Sequence, residues 1–191
     1  MTPIHIRVAT PTDAAALSDF AARTFAATFG ADNSPDDMAT YIGATFTPDL
    51  QAAELGSTNG VILLVAPAEG SGADDLIAYA ALGSGDTPPC VTGQPTIELK
   101  RFYVVSAWQG RGVAQALMQR ALLEVSQRGA RTLWLGVWER NARAIAFYHK
   151  CGFRRVGDQP FQLGTDLQTD CIMQRPVETA LHAVLQSDEH L

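Results

Sequence analysis

The run "TIELKRFYVV" (96–105), followed by "SAWQGRGVAQAL" (106–117), constrains this chain more than any other stretch. An apolar segment with the length of a buried strand passes into a helical pattern through Gln109-Gly110-Arg111-Gly112. Glycines there let the main chain approach a bulky group closely. The first turn of the following helix offers free N–H groups and a partial positive charge. Such a turn favours an anion, a phosphate above all, with Arg111 adding charge from one side. Two nucleotide-binding motifs built on the same logic fail on residues. The third glycine of a dinucleotide fingerprint is replaced by Gln115, and no Lys-Ser or Lys-Thr pair completes a G-x-x-x-x-G-K-[ST] loop. From these residues alone, a helix opening without a ligand stays as open as an anion cradle.

Around this turn the pattern predicts one α/β (α+β) domain with a mixed sheet and helices on both sides. A strand is expected over 3–8. Thr10-Pro11-Thr12-Asp13 then starts a helix with a hydroxyl at N-cap, proline at N1 and a carboxylate at N3. Leu17, Phe20, Ala21, Phe25 and Phe29 give that helix one apolar stripe, ending at Gly30. Ser34-Pro35-Asp36-Asp37 and Thr47-Pro48-Asp49 repeat the same start and predict helices over 35–44 and 48–55. Strands follow at 61–67 and 75–83, joined by the turn "AEGSGAD" (68–74), and a Pro/Gly-rich loop (83–95) leads into the strand at 96–105. The remaining expectations are a helix from Gly110 to Arg128, a strand at 131–138, a helix from Asn141 to Cys151 stopped by Gly152, and late strands at 153–158 and 169–175. A single domain is expected over residues 1–177. Residues 178–191 form a tail in which "ETALHAVL" reads as a short helix.

Composition excludes more than it selects. A formal net charge of -6 opposes nucleic-acid binding, which needs a basic face. Cys90, Cys151 and Cys171 are odd in number, lack C-x-x-C spacing and read as reduced thiols. The start "MTPIHIRV" has no basic and apolar export pattern, and no apolar run reaches the ~20 residues of a membrane span. A cytoplasmic protein is expected. The four histidines show no metal spacing, and no metal is assigned. Trp108, Trp134 and Trp138 read as core or rim aromatics.

Two blocks together identify a family resemblance. Gln109 to Ala114, "QGRGVA", resembles the Q/R-x-x-G-x-G/A signature of the GCN5-related N-acetyltransferases, the GNAT superfamily. "NARAIAFYHKCGF" (141–153) is similar to that family's N-x-x-A-x-x-x-Y-x-x-x-G-F block, in the same order and at the same separation. A finer likeness runs over about 3–177. "TFAATFG", "NSPDDMATYI", "RFYV", "WLGVWERNARAIAFYHKCGF" and "QTDCIM" resemble bacterial spermidine/spermine N-acetyltransferases of the PaiA type.

The resemblance implies a GNAT-like fold. Its central, mostly antiparallel sheet carries one parallel strand pair, 96–105 and 131–138, that splays apart to admit acetyl-CoA. It further implies that Gln109, Gly110, Arg111, Gly112, Val113 and Ala114 cradle the CoA diphosphate. Backbone groups of Phe102, Tyr103 and Val104 would align the acetyl and pantetheine amides, Asn141 would bond the pantetheine arm, and Ala144, Phe147 and Lys150 would line its far side. Tyr148 matches the family acid that protonates the leaving thiolate, and lies on nearly the same helix face as Asn141. Glu98, eleven residues before Gln109, stands where several members carry the base that deprotonates the amine, directly or through water. Lys100 shares a strand face with Glu98 under two-residue alternation, where the PaiA type is expected to carry an acid. It either repels a cationic acceptor or pairs with Glu98 and lowers its pKa.

The acceptor, a small-molecule amine such as a polyamine, is expected between the first helices and the strand ends, near Phe25, Phe29, Tyr41 and the aspartates Asp32, Asp36 and Asp37. Those aspartates equally suit helix N-termini. Other acceptors remain open: a protein N-terminus, a lysine, an amino acid or an antibiotic amine. So does a non-catalytic acetyl-CoA-binding regulator, against which intact Glu98, Tyr148 and the glycine turn argue. Many members dimerise, and "ETALHAVL" either serves such a homodimer or covers the sheet.

Overall fold

A computed structural model of the protein describes residues 3–69 and 75–178. The tail helix expected from 179 onward and most of the turn expected at 68–74 lie outside the described residues. Seven strands, β1 (Ile4–Val8), β2 (Gly60–Pro67), β3 (Ala78–Gly83), β4 (Thr96–Val104), β5 (Thr132–Trp138), β6 (Arg154–Leu163) and β7 (Asp166–Pro176), form one sheet in the order β1-β2-β3-β4-β5-β7-β6. Every neighbouring pair is antiparallel except β4–β5, which is parallel. The helices are α1 (Ala14–Phe29), α2 (Pro35–Thr45), α3 (Pro48–Leu55), α4 (Val113–Gln127) and α5 (Ala142–Lys150). The expected mixed α/β architecture is the observed one.

Two-residue alternation along the inner strands divides the core into two layers. On one face Leu63, Val65, Ala78, Ala80, Leu133 and Leu135 pack with Val113, Leu117, Met118 and Ala121 of α4 and Tyr148 of α5. On the other, Ile62, Leu64, Tyr79 and Ala81 pack with Leu17, Phe20 and Phe25 of α1 and Met38 of α2. Helix starts follow the hydroxyl–proline grammar. The Ser34 hydroxyl accepts from the Asp37 N–H, and the Thr47 hydroxyl from the Leu50 N–H. Asp13 accepts from the Thr10 N–H at 2.7 Å and holds Arg7 through two further bonds, which pulls its carboxyl down to about 2.

Three expectations change. Helix α4 begins at Val113 rather than Gly110, because Gly110 and Gly112 take left-handed φ values of 74° and 84°. Strand β3 starts at Ala78, three residues later than read. The two late strands are longer and form one hairpin closed by Gly164-Thr165. Its outer strand β6 is the sheet edge, which tolerates Pro160 and the mixed polar residues that hid the strand's length.

A β-bulge in β4 reorganises the side-chain phase. Leu82 pairs with Leu99 and Ala81 with Arg101, so Lys100 is the extra residue. Ile97 and Leu99 face the α4 layer before the bulge, and Phe102 and Val104 do so after it. Arg101 and Tyr103 are thereby turned towards α1 and α3. Arg101 reaches Glu54 of α3 and, at 3.2 Å, the side-chain oxygen of the buried Gln51, and its guanidinium lies 5.8 Å from the Phe46 ring centroid. Removing one charge of a pair this sheltered leaves the other under-compensated. Glu54→Gln is therefore expected to lower stability by about 2 kcal/mol, read as a lower urea midpoint with an unchanged slope.

Candidate active site

The site begins where the parallel pair ends. β4 and β5 are in register only at Thr96–Thr132, Ile97–Leu133 and Glu98–Trp134. Beyond these positions the strands diverge, and a cavity of about 570 Å³ runs through the opening from the α4/α5 face to the α1/α2 face. Phe102, Tyr103 and Val104 line it from β4, and Gly136, Val137 and Trp138 from β5. The splay expected from the family resemblance is present.

On the α4/α5 face the glycine turn borders the cavity through Gln109, Gly110 and Ala114. The Gln109 side chain donates to the Val104 carbonyl at 2.8 Å, fastening the turn to the end of β4. Unlike α2, α3 and α5, α4 has no side-chain cap among the described residues. Its first-turn amides are thus available to an anion. Arg111 lies over the Trp108 ring at 5.5 Å, and neither it nor Gly112 lines the cavity. Val113 is buried in the core. From α5, Asn141, Ala144, Phe147, Tyr148 and Lys150 line the cavity, joined by Arg143, which the sequence reading did not single out. The Asn141 side-chain oxygen caps α5 by accepting from the Ala144 N–H at 3.1 Å, leaving its NH2 group as a donor. Tyr148 sits among Phe102, Phe147 and Phe153. Burial pushes its phenol pKa well up, so the hydroxyl keeps its proton at neutral pH.

On the other face the cavity widens into an aromatic chamber. Phe25 stacks on Tyr41 at 4.7 Å and meets Phe29 at 4.8 Å, and Trp138 closes on Phe29 edge-on at 6.0 Å. Phe46, Tyr103 and Phe161 complete the walls. Three of the four acceptor-side residues named from sequence, Phe25, Phe29 and Tyr41, therefore meet here. Asp37 does not. Its carboxylate accepts from the Thr165 backbone N–H and hydroxyl, tying the β6–β7 hairpin to α2. Asp32 and Asp36 are likewise absent from the lining.

Glu98 occupies the last paired position, half-buried, one residue short of the lining that begins at Leu99. Burial raises its pKa, while Lys100 and Arg101 pull it back down. Lys100 packs against Gly83, the cross-strand partner of Glu98. The carboxylate that does line the chamber is Asp170 of β7, beside Gln168. Burial pushes Asp170 up to about 6. Neither Asp170 nor Arg101 was singled out from sequence. Each becomes visible only through long-range register, Trp138–Asp170 and Ala81–Arg101.

With this geometry in hand, the likeness to known proteins is specific. Residues 26–153 match the acetyltransferase (GNAT) family. The chain is 31% identical over 92% of its length to an uncharacterized N-acetyltransferase in the pepI 3' region of Lactobacillus delbrueckii subsp. lactis, covering 98% of that protein. It is 33% identical over 86% of its length to an uncharacterized N-acetyltransferase of Mycobacterium bovis, covering 97% of that one. Its fold is similar to that of the PaiA N-acetyltransferase from Thermoplasma acidophilum, crystallised with coenzyme A. The TM-score is 0.70 at 18% identity, over 91% of this chain and 98% of the other. The chain belongs to the acetyltransferase (GNAT) family and is an acetyl-CoA-dependent N-acetyltransferase.

Proposed function

We propose that the protein acetylates a primary amine of a small molecule, a polyamine such as spermidine or spermine, with Tyr148 as acid and Glu98 as base. One observation carries this reading: a single cavity joins the splayed edge of β4, Tyr148 and the uncapped N-terminus of α4 to an aromatic chamber across the sheet.

The residues present suit acetyl-CoA. Backbone groups of Phe102 to Val104, released from pairing with β5, and the Asn141 NH2 group would hold an extended, amide-bearing arm. The first-turn amides of α4 would take the diphosphate, with Ala144 and Phe147 along the arm and Lys150 and Arg143 as nearby cations. Acetyl-CoA supplies a thioester carbonyl: the amine's C–N bond forms, the C–S bond breaks and CoA leaves as a thiolate. Tyr148, protonated at neutral pH, donates its hydroxyl hydrogen towards that sulfur. Glu98, just behind the lining, takes the amine's proton through a water molecule. Its raised pKa makes it a better proton acceptor than an exposed carboxylate.

A second reading rests on Lys100 and Arg101, two cations in the cavity wall. They favour an acceptor with a carboxylate near its amine, such as an amino acid or a peptide terminus, over a polyamine. Release of CoA thiol in the presence of spermidine, spermine, amino acids and short peptides separates the two. Silence across that panel with retained acetyl-CoA binding would leave only a regulator. Tyr148→Phe is expected to lower kcat about a hundredfold while CoA affinity holds; unchanged turnover would remove Tyr148 from the reaction. Glu98→Gln is expected to lower kcat by a similar factor and to abolish the acid limb of its pH profile. That limb lies above the ordinary carboxylate range, because a base with a raised pKa is lost to protonation sooner as pH falls.

A further inference from the structure

Asp170 is the one carboxylate lining the cavity among the described residues. It stands on β7 opposite Trp138 and projects beside Gly136 of β5, close enough that a methyl group on Gly136 would lie 3.0 Å from its Oδ2. Glu98–Trp134 is the last parallel pair, so Gly136 lies two residues into the opening, level with the bulge at Lys100. Asp170 is thus held where the two strands part, on the chamber side of the sheet. Its carboxylate has no hydrogen-bond or ion-pair partner among the described residues, and the side chain is partly buried in the lining of the cavity. Of the other acids close to the site, Glu54 holds Arg101, Asp37 holds the hairpin tip, and Glu98 stands one residue short of the lining. Glu54 compensates Arg101, so the strand charges left facing the cavity are Lys100 at the bulge and Asp170 on β7, and the one on β7 is negative.

We infer that Asp170 is the acceptor anchor, receiving the ammonium end of the amine inside the aromatic chamber and selecting cationic amines over carboxylate-bearing ones. This rests on the amine-acetylating function proposed above and gives Asp170 a role distinct from that of Glu98. An ammonium has three N–H bonds. One proton leaves through water towards Glu98 and frees the lone pair that attacks; of the two N–H bonds left, the one donated to Asp170 stays as the amide N–H, and the other loses its proton to that water as the C–N bond forms and the C–S bond breaks. Phe29, Tyr41 and Trp138 line the same cavity, and such apolar walls strengthen the charge pairing by excluding water.

Calorimetric binding of spermidine and n-butylamine to the full-length protein without acetyl-CoA tests this directly. Asp170→Asn is expected to weaken both amines about thirtyfold and to raise KM in parallel, with CoA affinity unchanged. Asp170→Glu should recover most of the loss. Glu98→Gln should lower kcat and leave amine binding intact. Asp170→Asn that binds both amines within about threefold of wild type would overturn the anchor alone, as would faster acetylation of alanine than of n-butylamine by the wild type. A wild-type chain that neither binds nor acetylates any amine of the panel would overturn the proposed function and the anchor with it.

Discussion

The parting of β4 from β5 after Glu98 and Trp134 is the constraint on which the rest of this molecule depends. A sheet interior is normally where every backbone N–H and C=O is paired. Here two central strands run side by side for three residues and then diverge, which opens a passage through the middle of the domain. The bulge at Lys100 sits at that fork. It adds the one residue that turns Phe102 and Val104 towards α4 and α5 while aiming Arg101 and Tyr103 at the helices on the far side. Without the phase change Arg101 would face the apolar α4 layer, away from Glu54 and Gln51. The side-chain phase on both faces and the partly buried Arg101–Glu54 ion pair follow from one local irregularity.

The charges near the cavity fall into two kinds. Arg101 is satisfied from behind by α3, and Gln51, almost wholly buried, uses its remaining hydrogen-bonding capacity on the Thr45 carbonyl. This cluster braces the wall. Asp170 and Tyr148, from opposite faces of the sheet, have no such braces. The first is a carboxylate made less acidic by burial, and the second a phenol made less acidic by the same cause. Burial without a partner keeps a titratable group responsive to whatever arrives next to it. In that respect these two side chains resemble each other more than either resembles its structural neighbours.

Most of the fold was legible before any coordinates, for a physical reason. Hydroxyl–proline starts mark α2 and α3, left-handed glycines mark the turn before α4 and the stop after α5, and apolar runs mark the buried strands. The α4/α5 side of the cavity was legible for a related reason. Its residues lie close together in the chain, from Phe102 to Lys150, and their spacing on α4 and α5 is set by helix geometry. The aromatic chamber is assembled from remote segments. Asp170 reaches the chamber only because β7 pairs with β5 in one particular register, and the polar alternation of an edge hairpin gives a weak strand signal. Asp37 looked available because its partner, Thr165, is 128 residues away.

That same tie has a consequence for how such a protein diversifies. The hairpin that supplies Phe161, Gln168 and Asp170 is fastened to the helical part at its tip, by Asp37 to Thr165 and by Asn33 to Gln168. Its root lies against β5, whereas the first-turn amides of α4 and the cap of α5 belong to segments it does not build. Substitutions near the tip bear first on the chamber end of the passage, while the Thr169 carbonyl and the Arg175 side chain tie the same hairpin to residues flanking the two ends of α5. Sequence change within one short hairpin can therefore reshape part of the aromatic end of the passage, while the glycine turn and α4, built from other segments, pass on unaltered.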